Sequence, residues 1–78
     1  MRKIEKIESV HLTEWRESDA RPTAYHVQVY VEGYRFPFYV NSYYRGIYEW
    51  TSDPLYARCY SYRTATERMH DLMRKGEV

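Results

Sequence analysis

A single cysteine, Cys59, leaves this 78-residue chain no partner for an intramolecular disulfide, and no paired Cys/His spacing of a structural zinc site accompanies it. Both staples that small domains commonly use are therefore excluded. Glycine is also scarce, and Gly33, Gly46 and Gly76 are too dispersed to form a phosphate-cradling loop. No run approaches the roughly 18 apolar residues of a membrane span. The opening Met1-Arg2-Lys3-Ile4-Glu5-Lys6 is too charged for a secretory signal, so a reducing cytoplasm is the expected location and no membrane is expected as a partner. Lysine is confined to Lys3, Lys6 and Lys75, and the formal charge is only +1, from 12 Lys+Arg against 11 Asp+Glu. The molecule as a whole exerts no strong field on nucleic acid or acidic lipid.

What is abundant is tyrosine. Ten tyrosines are interleaved with Arg21, Arg35, Arg45, Arg58 and Arg63, and a guanidinium stacks on a phenol ring in a way that an ammonium does not. That composition suits a contact surface. Tyrosine also favours strands, where its ring is half buried and its hydroxyl stays wet, so composition alone does not separate the two uses.

The clearest pattern is the alternation of Tyr25, Val27, Val29 and Val31 with His26, Gln28, Tyr30 and Glu32, which predicts a strand with one buried and one solvated face. Gly33 supplies a positive-φ residue for a tight reversal, after which Tyr34, Phe36, Phe38 and Val40 resume the alternation. Pro37 cannot donate to a ladder, which predicts that this strand lies at a sheet edge or carries a bulge there. Residues 4–16 admit both a strand and a helix by period. Their β-branched and aromatic content favours a strand with Val10, Leu12, Glu8 and Glu14 on one face and Ile7, His11 and Trp15 on the other. Residues 18–23 read as a turn or loop, and residues 41–46 as a turn leading to a short strand over 47–51.

Asp53-Pro54 predicts one helical turn over 55–58, with Asp53 as N-cap, followed by an extended link over 59–62. Thr64-Ala65-Thr66-Glu67 then predicts a capping box opening a helix. Ala65, Met69, Leu72 and Met73 form its apolar stripe, Asp71 precedes Lys75 by four residues, and Gly76 stands at its end. The sum is a single α+β domain over residues 1–78: a three- or four-stranded antiparallel sheet with one C-terminal helix packed on one face. A core of this size buries only about 60% of the surface of the unfolded chain, so a homodimer is a natural way to add stability.

Catalytic chemistry is thinly represented. Cys59 would need His11, His26 or His70 as a base, and no local motif joins them. The histidines have no i, i+4 pair for a metal, and no carboxylate pair sits in an apolar setting that would tune one as an acid. The expectation is a protein without enzymatic activity, cofactor or metal.

Trp50-Thr51-Ser52-Asp53, Ala57, Tyr60 and Thr64-Ala65-Thr66-Glu67 resemble the ending of small phage and mobile-element β-β-β-α proteins, some of which are anti-CRISPR or other anti-defence inhibitors. The resemblance spans residues 48–73 and implies a protein that occupies a surface of a host protein or complex, in the host cytoplasm, with no catalytic residues. Tyr25–Val40 followed by Thr64–Met73 is similar in outline to the arm-binding domain of phage integrases, which implies nucleic-acid binding through the sheet. The chain departs from that pattern in the long insertion between hairpin and helix and in lacking a lysine-rich sheet; Glu32 and Glu49 interrupt its arginines. A protein partner is the first reading and nucleic acid the second. The candidate partner-binding residues are His26, Tyr30, Arg35 and Tyr39, expected on the open face with Gln28 and Glu32, together with Tyr43, Tyr44 and Arg45 from the following turn.

Overall fold

The computed structural model describes residues 6–15 and 24–76. Its elements are strands β1 (Ile7–Trp15), β2 (Ala24–Val31), β3 (Phe38–Tyr44) and β4 (Ile47–Thr51), a single 3-10 turn at Pro54–Tyr56, and helix α1 (Tyr62–Gly76). The strands form one antiparallel sheet in the order β1-β2-β3-β4, so the fold is α+β, with four strands and one C-terminal helix. The turn expected over residues 18–23 lies outside the described residues. No helix among those described is long and apolar enough to cross a membrane.

The valine alternation in β2 places Val27, Val29 and Val31 in the core with Val40, Trp50, Ala65 and Leu72. Pairing with β2 makes 7–15 a strand, and it sets Val10 opposite Val29 and Leu12 opposite Val27 on that same side. Ile7 differs from its expected face. A register shift between Ile7 and Ser9 brings Ile7 opposite Val31, where it packs against the core, because a bulge inserts one residue and reverses the alternation beyond it.

Gly33 turns the chain at φ +91°, with the Tyr34 amide donating to Val31 O at 3.1 Å, as in a turn that needs positive φ at its third residue. The return is not tight, however. Residues 32–37 stay outside the sheet, and the rings of Tyr34, Phe36 and Phe38 pack on one another at 5.1–6.3 Å. β3 begins only after Pro37 and is an interior strand, so neither the edge position nor a bulge at the proline is found. Proline ends the loop instead, and the bulge of β3 lies between Val40 and Ser42. Residues 41–44, expected as turn, continue β3. Only Arg45 (φ +50°) and Gly46 (φ +83°) form the reversal into β4, a two-residue hairpin loop with both φ values positive.

β2 and β3 pair only through Gln28 with Tyr39 and Val29 with Phe38. Beyond that they part, and the segment after the 3-10 turn fills the opening. Tyr60 exchanges two backbone hydrogen bonds of 2.8 Å with Tyr25, while the Arg58 amide donates to Val40 O at 2.9 Å. The 3-10 turn itself starts as expected, with Asp53 Oδ1 accepting from the Leu55 amide at 2.9 Å.

The helix starts earlier than the capping box predicts. Ser61 is its cap: its hydroxyl accepts from the Thr64 amide at 3.3 Å, and its carbonyl accepts from the Ala65 amide. Thr64 is thus the third helical residue, and Glu67 pairs with Arg63 at 3.7 Å. A serine one turn upstream serves the same orphan amides, which local sequence did not distinguish from Thr64. The stripe is narrower than expected. Ala65 and Leu72 are buried and Met69 half-buried, but Met73 is 46% exposed. α1 lies over β1 and β2, and long side chains tie it to the β3–β4 hairpin: Lys75 Nζ donates to Gly46 O at 3.2 Å.

Candidate functional site

One helix covers one face of the sheet, and strand registers determine what the other face presents. Pairing of Ser9 with Tyr30, His11 with Gln28, Thr13 with His26 and Trp15 with Ala24 puts these residues on the side away from α1. Tyr39 joins them opposite Gln28 and Thr51, and Ser42, Glu49, Tyr44 and Ile47 extend the face along the hairpin. None of the four strands contains a lysine or arginine.

The face is organised around His26, which is only 5% exposed. Trp15 stacks on its ring at 5.8 Å and 27°, and Tyr39 meets it edge-on at 6.1 Å. The segment that fills the opening between β2 and β3 brings Cys59 to the same place, with Sγ 3.4 Å from His26 Nε2. Burial holds the His26 imidazole below its ordinary pKa, because the charged ring would be stripped of water. Gln28 Nε2 donates to the Tyr39 hydroxyl at 3.0 Å, fixing that ring. Tyr30 stands further along the face, exposed, with its ring edge to His11 at 5.7 Å.

The expected site residues therefore divide. His26, Tyr30 and Tyr39 share the uncovered face, with His26 buried rather than solvated. Arg35 and Glu32 lie in the loop between β2 and β3, where strand alternation does not apply, and both are exposed. Tyr43 lies on the helix side: the Arg68 guanidinium sits 3.9 Å over its ring, and Tyr48 packs against it at 4.7 Å. Tyr44 and Arg45 are exposed at the hairpin tip, with the guanidinium 5.2 Å from the ring centroid. Trp15 and Cys59 were not among the expected site residues. The alternation of β1 already grouped Trp15 with His11. Nothing local could join Cys59 to His26 across 33 positions.

Among the described residues, no cluster of three or more His, Cys, Asp or Glu could hold a metal ion. No protein-family model, curated protein or solved structure matches the chain.

Proposed function

We propose that this chain is a non-enzymatic protein-binding module that docks through the uncovered face of its sheet. The observation that carries the reading is the character of that face: Trp15, Tyr30, Tyr44 and Ile47 are exposed on strands that contain no lysine or arginine. Large amphipathic rings are the residue type that dominates protein interfaces. A surface built for phosphates needs several cations on one side, and three of the described arginines are engaged elsewhere: Arg68 over Tyr43, Arg58 over Tyr60, Arg74 beside Asp71. A protein surface is therefore preferred to nucleic acid as the occupant.

The concrete form of the reading is a phage-type inhibitor that occupies a surface of a host defence complex. Its support is the resemblance over residues 48–73. Several of those residues also hold the fold: Trp50 is core, Asp53 caps the 3-10 turn, and Thr64 lies in the first turn of α1.

Replacing Tyr30 and Tyr44 together by alanine tests the surface, because both residues are exposed and lie outside the core cluster. Interface anchors of this type each carry about 2 kcal/mol or more. The double variant should keep the wild-type circular dichroism and lose at least about a hundredfold in affinity for the protein that wild type captures from host lysate and rebinds when purified. Unchanged affinity would remove the face from the interaction. Tight salt-sensitive binding to DNA or RNA at about 0.15 M salt, or a concentration-dependent dimer in sedimentation with no other partner, would replace the reading.

A further inference from the structure

We propose that Cys59 is a modification site, a thiol that exchanges with disulfides of low-molecular-weight thiols using His26 as its base. The inference does not need the docking reading to hold, although the thiol lies beside His26 on the same face of the sheet. It rests on two residues that the fold brings together with Sγ and Nε2 3.4 Å apart. Cys59 is exposed and open to a reagent, whereas His26 is 5% exposed. A nucleophile within reach of a base that is itself held in place by third groups is the arrangement that thiol chemistry requires.

The rings around the imidazole fix its orientation toward the thiol. A buried polar side chain normally finds hydrogen-bond partners, and among the described residues the only one His26 has is the Cys59 thiol. Trp15 and Tyr39 occupy its flanks, leaving Nε2 facing the Cys59 sulfur. Burial disfavours the charged form of the ring. With the proton on Nδ1, the Nε2 lone pair points at the S–H.

In the exchange, the Cys59 proton passes to His26 Nε2 as the sulfur bonds to one sulfur of R–S–S–R. The reagent S–S bond breaks, its electron pair leaves on the other sulfur, and that thiolate takes the proton back from Nε2. Cys59 is oxidised to a mixed disulfide, one half of the reagent is reduced to a thiol, and His26 returns to its neutral form, so no charge is left on a buried ring. An added thiol reverses the step.

The chain has one cysteine, so every adduct seen by mass spectrometry reports this site. Native protein treated with glutathione disulfide at pH 7.5 should form the mixed disulfide several-fold, and at most about tenfold, faster than the same chain unfolded in guanidinium, since about a tenth of an ordinary thiol is already thiolate at that pH. Dithiothreitol should reverse it, and His26→Gln should remove the advantage. The native advantage should also shrink once the pH is taken below the ordinary imidazole range, because burial lowers the His26 value, a test that stands even where His26→Gln fails to fold. A native rate no faster than the unfolded one, an advantage unaffected by folded His26→Gln, or one that persists unchanged at acid pH would overturn the proposal.

Discussion

Tyr48 and Asp71 form the contact whose chemistry bears most directly on how the helix is held. The Tyr48 hydroxyl donates to Asp71 Oδ2 at 2.7 Å, and Lys75 and Arg74 lie 3.6 Å from the same carboxylate. Burial and the neighbouring carboxylate push the Tyr48 hydroxyl far above the usual phenol range. The hydrogen bond from Tyr48, then Lys75 and Arg74, outweigh desolvation and hold Asp71 below the usual carboxylate range. The lowered Asp71 value adds stability that is fully present above the unfolded pKa and is lost as pH falls through the lower folded one. The raised Tyr48 value adds stability that is present below about pH 10 and is lost as pH rises beyond it. Tyr48→Phe should therefore cost about 1–3 kcal/mol at pH 7, the range for a hydrogen bond to a charged group with some solvent access. Urea unfolding from pH 2 to 7 should show Asp71→Asn losing part of the acid dependence of wild type. A second residue-scale case is Arg45, a non-glycine at φ +50° in a loop type that prefers Asn-Gly. Arg45→Asn should raise stability by up to about 1 kcal/mol, read as a higher urea midpoint with unchanged slope.

Among the elements, the helix start is decided by a hydroxyl one turn before the apolar stripe. Ser61→Ala removes the acceptor for the Thr64 amide and should cost about 0.5–2 kcal/mol, visible as a lower thermal midpoint. Thr64→Ala should cost less, since Thr64 is a helical residue whose hydroxyl accepts from the Ser61 hydroxyl at 3.2 Å. A larger loss for Thr64→Ala would put the cap at Thr64 after all. The link over residues 58–60 is the other decisive element. By bonding to Val40 and to Tyr25 it satisfies backbone groups that the parting of β2 and β3 would otherwise leave unpaired, and it delivers Cys59 to His26. The charge pattern of α1 reads directly from sequence: Asp71 and Lys75 pair four residues apart, as helical spacing requires.

At the scale of the molecule, four strands and one helix give a one-sided core. Its buried members are mainly β2 valines, Val40, Trp50, Ala65 and Leu72. Such a layer leaves the second sheet face to solvent or to a partner, and that is the face the double-alanine variant probes. Tyr39→Ala is a poor test of docking by comparison. It removes the ring that steadies His26 and accepts from Gln28, so it should lower the thermal midpoint whether or not a partner is present.

The sequence by itself determined the elements whose signals are local. The β2 alternation, the positive-φ glycine at 33, the Asp53-Pro54 turn and the helix over its central turns each follow from neighbours within four residues, and together they specify an antiparallel sheet with a C-terminal helix. Tertiary structure alone decided the rest, because those features depend on pairing between distant segments. A bulge that no local pattern marks sends Ile7 to the core. Pro37 ends a loop rather than marking an edge, because β4 pairs beyond β3. Tyr43 turns to the helix while Tyr44 turns away from it, since the bulge after Val40 resets which side each residue faces. His26 reads locally as the solvated half of a strand, yet it is buried because Trp15, Tyr39 and Cys59, from three other segments, close over it.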